Sequence, residues 1–224
     1  MAATGRALHP PVLMIVTDRG RSGPGAGRAP IERVAADAIA AALAGVGLIQ
    51  VRERGLEDCD LLALTELIIR ETAPTGARTL VNDRLDVALA AGAHGVHLPA
   101  RGMSSAAARS IAPDDFLIGR SVHTEAEAVA AQTEGGSDYL LFGSVFESAS
   151  KPAGHPVAGV AALARVCARV ALPVLAIGGV TRGRVAEVAA AGAAGVAAIG
   201  MFADSRGDAL DELVRDVHAA FGSI

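Results

Sequence analysis

Pro173-Val-Leu-Ala-Ile-Gly-Gly-Val-Thr181, with the residues that follow to Phe202, decides how this chain is read. Val174 to Ile177 is an apolar run with proline before it and two glycines after it, the pattern of a strand buried on both faces in a parallel sheet. Thr181 is placed to cap a helix running through Val185, Val188 and Ala189 to Gly192, a residue suited to ending one. A second apolar run, Val196 to Ile199, stops at Gly200. Together these make one strand–helix–strand unit. Both strands end at glycine, so the backbone N–H groups of Gly178, Gly179, Gly200, Met201 and Phe202 can come close to a ligand. A short helix starting near Gly200 would add its positive end. Either glycine site alone reads equally well as plain turn chemistry; two in consecutive units favour a phosphate seat. In a (β/α)8 barrel that seat lies in the loops after strands seven and eight.

Six more units precede this one. Strand candidates are Val12 to Thr17, Leu48 to Val51, Thr79 to Asn82, Gly95 to Leu98, Phe116 to Ser121 and Tyr139 to Phe142. Helix candidates between and after them are Ile31 to Ala44, Glu57 to Thr72, Leu85 to Ala91, a segment capped by Ser104 or Ser105 to Ile111, Thr124 to Thr133, Val157 to Val170 and Leu210 to Phe221. Ala90-Ala-Gly-Ala-His-Gly-Val96 resembles Ala190-Ala-Gly-Ala-Ala-Gly-Val196, a weak internal repeat at a helix end that turns into a strand. Strict alternation gives a closed barrel or an open doubly wound sheet. Eight units in 224 residues, with no G-x-G-x-x-G after the first strand, favour a single-domain (β/α)8 TIM barrel over residues 12–224 behind an N-terminal tail, 1–11. The glycine-rich stretch Gly20 to Ala29 is a candidate lid.

Composition narrows the function. Lys and Arg number 20 against 24 Asp and Glu, a net charge of −4, which argues against a nucleic-acid surface. No apolar run approaches the ~18 residues of a membrane span. Cys59 and Cys167 form no ligand spacing and read as reduced thiols of a cytoplasmic protein.

The second strand is anomalous. Alternation sends Leu48, Gln50, Arg52 and Arg54 to the face opposite Ile49, Val51 and Glu53, so Gln50 and Arg52 point into the barrel. A buried guanidinium needs a carboxylate, here Glu53 or Asp18, or an anionic ligand at the mouth. Asn82 and Asp83, His97, Ser121 and His123, and then Ser148, Ser150 and Lys151 follow at or just past the ends of later strands. Singly these are caps, satisfied core groups or solvated loops; together they outline a pocket for a small anion. His123 is the candidate acid/base, because imidazole titrates near neutrality.

Gln50-Val-Arg-Glu-Arg54, Val81-Asn-Asp-Arg84, Gly95-Val-His-Leu98, Gly119-Arg-Ser-Val-His123, Asp138-Tyr-Leu-Leu-Phe-Gly143, Lys151 and Ile177-Gly-Gly-Val180 resemble the thiamine phosphate synthase superfamily over nearly the whole chain. That resemblance implies one of two activities. The synthase branch joins an aminopyrimidine diphosphate to a thiazole phosphate with Mg²⁺; the tautomerase branch aromatises a thiazole carboxylate phosphate. The synthase pattern has a second aspartate where Arg84 stands, an acidic stretch where Pro99-Ala-Arg-Gly102 stands, and Pro-Thr-x-Thr-Lys where Glu147-Ser-Ala-Ser-Lys151 stands. The expectation is therefore the tautomerase, an isomerase without metal or other cofactor. By that resemblance His123 shuttles the proton, and Gly178, Gly179, Gly200, Met201 and Phe202 hold the phosphate of a small phosphorylated thiazole. Gln50, Arg52, Arg54, Asn82, Ser121 and Lys151 bind the rest. The synthase is the alternative, with Asp83 toward Mg²⁺. A regulatory relative that binds without turnover is a third reading, and a phosphosugar isomerase lacks its carboxylate or Lys/Glu set. Assembly into a homo-oligomer is left open.

Overall fold

Eight parallel strands close on themselves, each pairing with the next and β8 with β1. The computed structural model describes residues 5–22, 29–148, 154 and 156–222. The order is β1 (Val12–Val16), α1 (Ala29–Leu43), β2 (Leu48–Val51), α2 (Asp58–Thr72), β3 (Arg78–Asn82), α3 (Leu85–Ala90), β4 (Gly95–Leu98), α4 (Ser105–Ile111), β5 (Leu117–Val122) and α5 (Glu125–Glu134). It continues with β6 (Tyr139–Phe142), α6 (Val160–Arg169), β7 (Val174–Ile177), α7 (Val185–Ala190), β8 (Gly195–Ala198), α8 (Gly200–Ala203) and α9 (Asp208–Gly222). This is the expected (β/α)8 barrel. No helix among the described residues is long and apolar enough to cross a membrane, and both cysteines are free.

Strand alternation produces two cores. Met14, Val16, Leu48, Leu80, Leu117, Tyr139, Leu141 and Leu175 fill the barrel. Leu13, Ile15, Ile49, Val51, Val81, Ile118, Leu140 and Phe142 face the helices. Because both faces are largely dry, the strands read as mainly apolar runs, and their polar residues gather toward the ends of the barrel.

Helices α1 and α9 start two residues before the expected Ile31 and Leu210, and two other starts differ for reasons the backbone shows. Thr181 makes no side-chain cap. Its carbonyl instead accepts from the Arg184 N–H at 2.9 Å, closing a 3₁₀ turn over Arg182–Arg184, and α7 begins only at Val185. Helix α6 starts at Val160 rather than Val157, because Gly159 at φ 80° breaks the helical path. Ser104 and Thr124 do cap, accepting from Ala107 and Glu127. Most of the candidate lid, and Ser150 and Lys151, lie outside the described residues.

Candidate active site

The carboxyl ends of the strands carry the polar groups. Gln50 on β2 donates from Nε2 to Asn82 Oδ1 on β3 at 3.0 Å. Gln50 is 2% exposed, and its Oε1 accepts from nothing among the described residues. A buried amide oxygen without a donor costs ~1–3 kcal/mol. The atom is set for a ligand N–H.

Arg52 follows immediately. Its backbone N–H donates to Thr17 Oγ1 at 2.9 Å, which leads the chain off β2 toward the rim. Burial, and then the neighbouring Arg54, depress the Arg52 guanidinium below the usual arginine range. The ion pair with Glu53 or Asp18 that the sequence left open does not form among the described residues. Glu53 instead accepts from the Arg19 N–H at 2.9 Å and bonds Thr17, while its Oε1 stays unpaired. Burial raises the Glu53 carboxyl in spite of those bonds. Arg54 is exposed, and its carbonyl accepts from Arg19.

On β3's exit, Asp83 adopts φ 66°, a left-handed conformation that aspartate tolerates better than most residues. It turns toward the β4–α4 loop, where a Cβ on Gly102 would stand 3.1 Å from Asp83 Oδ1. Arg120 holds that loop by donating to the carbonyls of Ala100 (2.9 Å) and Met103 (2.6 Å). Arg84 spends its guanidinium on Asp58 and Asp86, the first turns of α2 and α3. Its position beside Asp83 is therefore explained by helix docking.

Inside the mouth, His97 bonds Tyr139 Oη and Ser121 Oγ through its two ring nitrogens. His123 stands exposed at the end of β5 with Nδ1 2.5 Å from the Gly143 carbonyl. A carbonyl only accepts, so Nδ1 carries the hydrogen and Nε2 is left as the free ring position. Gly143 in turn abuts β7, where a Cβ would meet the Ile177 carbonyl at 2.3 Å. The imidazole and the paired glycines thus share one rim.

The turn after β7 is tightly held. Gly178 and Gly179 have φ 95° and 64°, and a Cβ on Gly179 would lie 2.1 Å from the Glu147 carbonyl, so no other residue fits. Phe146 N–H donates to the Gly178 carbonyl at 2.9 Å. Arg184 donates to the Gly179 carbonyl at 2.9 Å with its guanidinium 4.6 Å over the Phe146 ring. With its carbonyls engaged, this turn has no backbone acceptor for the Gly178 and Gly179 N–H groups among the described residues, and the same holds for Gly200, Met201 and Phe202 opening α8. These are the five N–H groups that the sequence reading assigned to a phosphate.

No group of three or more His, Cys, Asp or Glu able to hold a metal occurs among the described residues. A Mg²⁺ ion needs less than that: one or two carboxylates together with substrate phosphates. Asp83 supplies one, so the site fits a Mg²⁺ shared with a diphosphate and does not fit a metal held by protein alone.

These features define a class, a (β/α)8 barrel with its anion-receptive groups gathered on the carboxyl rim. The family described as "Thiamine monophosphate synthase" matches residues 13–202. The chain is 48% identical over 159 residues to the thiamine-phosphate synthase of Methanoculleus marisnigri, covering 71% of this chain and 75% of that protein. It is 41% identical over 187 residues to the thiamine-phosphate synthase of Methanoregula boonei, covering 84% and 83%. The solved thiamine phosphate pyrophosphorylase of Pyrococcus furiosus superposes with a TM-score of 0.78 at 29% identity, covering 95% and 96% of the two chains. The chain belongs to the thiamine monophosphate synthase family.

These relatives overturn the tautomerase expectation, and with it the isomerase assignment and the tautomerising role given to His123. The two similar proteins from Methanoculleus and Methanoregula are named synthases and the solved one a pyrophosphorylase, all names of transferases. The sequence argument rested chiefly on Arg84 and Arg101 in place of carboxylates. Arg84 turns out to be bound in its own ion pairs, and a diphosphate-borne Mg²⁺ does not need a second carboxylate.

Among residues the sequence reading did not single out, Arg120 and Arg184 each hold a part of this rim, and Tyr139, at the start of β6, reaches up to it from inside the barrel. Tyr139 carried a signal: it is the only tyrosine in the chain and pairs in register with Gly119, a large residue beside a vacancy.

Proposed function

We propose that this protein is a thiamine-phosphate synthase, joining an aminopyrimidine diphosphate to a thiazole phosphate with release of diphosphate. The observation that carries the reading is Gln50 Oε1, a buried acceptor with no donor among the described residues, at an inward position near the end of β2 beside Asn82. An exocyclic amine on a pyrimidine offers the missing N–H, and a thiazole carboxylate phosphate has none. The N–H groups of Gly178, Gly179, Gly200, Met201 and Phe202 take the thiazole phosphate and so fix the thiazole at the β7–β8 side of the rim. Arg52, half-buried and in no ion pair among the described residues, receives the diphosphate from the β2 side and stabilises the charge that grows on it as it leaves with the bonding electron pair. Lys151 belongs to the same binding set by resemblance. Mg²⁺, when bound, supplies further charge neutralisation of the diphosphate, and Asp83 is the residue that would hold it.

The test is a single coupled assay. Aminopyrimidine diphosphate and thiazole phosphate, supplied together with Mg²⁺, are expected to give thiamine phosphate and diphosphate in equal amounts. No product from the pair, under conditions where a known synthase forms it, refutes the reading.

A further inference from the structure

Three side chains from three neighbouring strands form one hydrogen-bonded line inside the barrel. Tyr139 on β6 fills the space left by Gly119, where a Cβ would stand 2.1 Å from Tyr139 Cζ. Its hydroxyl lies 3.0 Å from His97 Nδ1 on β4, and His97 Nε2 lies 2.8 Å from Ser121 Oγ on β5. Tyr139 is 0% exposed and His97 1%. Burial, with Arg120 and Arg52 adding to it, lowers the imidazole to about 3, and burial raises the phenol, so both groups are neutral near pH 7.

A neutral imidazole has one N–H and one lone pair, and the two ends of the line settle which is which. The Tyr139 hydroxyl has no acceptor other than His97 among the described residues, and an unbonded hydroxyl hydrogen in this core would carry the full desolvation cost. The hydroxyl therefore donates to Nδ1. Nε2 then holds the ring hydrogen and donates it to Ser121 Oγ. Ser121, at the mouth and only partly buried, receives that bond and keeps its own hydrogen free to point outward.

We propose that Tyr139 and His97 are positioning residues that fix the Ser121 hydroxyl as a hydrogen-bond donor to a lone-pair acceptor on the substrate, a phosphate oxygen or a ring nitrogen. The inference rests on the synthase reading for the identity of the substrate, but the direction of the hydrogen bonds stands apart from it. It complements the rest of the mouth: Gln50 Oε1 asks for a donor, and Ser121 asks for an acceptor. A ligand presenting the two in the wrong places leaves a buried group unsatisfied, which gives the site discrimination between look-alike rings.

NMR of the full chain labelled with ¹⁵N-histidine reads the tautomer directly. His97 is expected as the Nε2–H form, with no titration between about pH 5 and about pH 8. Tyr139→Phe keeps the ring in the Gly119 vacancy and removes the hydroxyl. It is expected to lose the single tautomer and to lower kcat/KM for thiamine phosphate formation about tenfold. In a Ser121→Ala background the same change is expected to cost no further activity, since Tyr139 acts through Ser121. An Nδ1–H tautomer in the wild-type chain overturns the proposal even if the Tyr139 variant fails to fold. A loss of equal size with and without Ser121 overturns it as well. A wild-type chain with the Nε2–H form that makes no thiamine phosphate counts for the hydrogen-bonded line and against the reaction.

Discussion

The two ends of this barrel are built from the same residue types and use them differently. At the amino end, charged groups are spent on the protein itself. Arg78 donates to the carbonyls of Gly5 (2.8 Å) and Ala7 (3.1 Å), tying the segment before β1 across the barrel floor, where Leu8 packs on the inner core. Asp138 takes Arg109 and the Ile118 N–H, and Arg6 approaches it at 3.8 Å. His94 Nδ1 accepts from the Thr79 N–H. The Thr79 hydroxyl, buried on the helix side of β3, is the exception among the described residues. At the carboxyl end, Gln50 Oε1 and five backbone N–H groups are left without partners among the described residues, and the Arg52 guanidinium forms no ion pair there, with only the more distant field of Asp18 and Glu53 to offset its burial. Apart from Thr79, the polar groups named at the floor are satisfied within the protein, whereas several at the mouth are not, a cost that folding alone would not retain.

Substitutions at the two ends should separate stability from activity. The largest effect belongs to the floor. Asp138→Ala takes the carboxylate from Arg109, which keeps only the Phe116 and Gly136 carbonyls, and leaves the Ile118 N–H without its acceptor; it should cost about 3 kcal/mol in urea unfolding, with kcat/KM of the folded fraction unchanged. Comparable loss of activity in folded protein would erase the distinction between the two ends. Arg52→Met reverses the pattern. Thiamine phosphate formation should fall about thirtyfold, roughly 2 kcal/mol of transition-state stabilisation. The unfolding midpoint should hold or rise, because a half-buried cation without a partner is removed. A lower midpoint would mean that Arg52 is structural.

The barrel was legible because most strands are short, largely apolar runs buried on both faces, several with glycine or proline at an end; β2, β4, β6 and β7 have the bounds the sequence suggested. Gln50, Asn82 and Ser121 were legible as polar residues on inward positions at strand ends, and the Gly178–Gly179 turn as a break that only glycine fits. The Tyr139–His97–Ser121 line was not, since it depends on the register of three strands that no single stretch encodes. The branch was misread for a related reason. A residue type at a motif position was taken as part of the site, whereas Arg84 answers to Asp58 and Asp86 on neighbouring helices.

The most direct measurement compares the binding of two ligands by the wild type and by Gln50→Met, which matches the volume of Gln50 but offers no acceptor. Titration calorimetry should show aminopyrimidine diphosphate binding about tenfold more weakly to the variant, and inorganic diphosphate binding equally to both. Equal weakening of the two ligands, or of neither, would contradict the account.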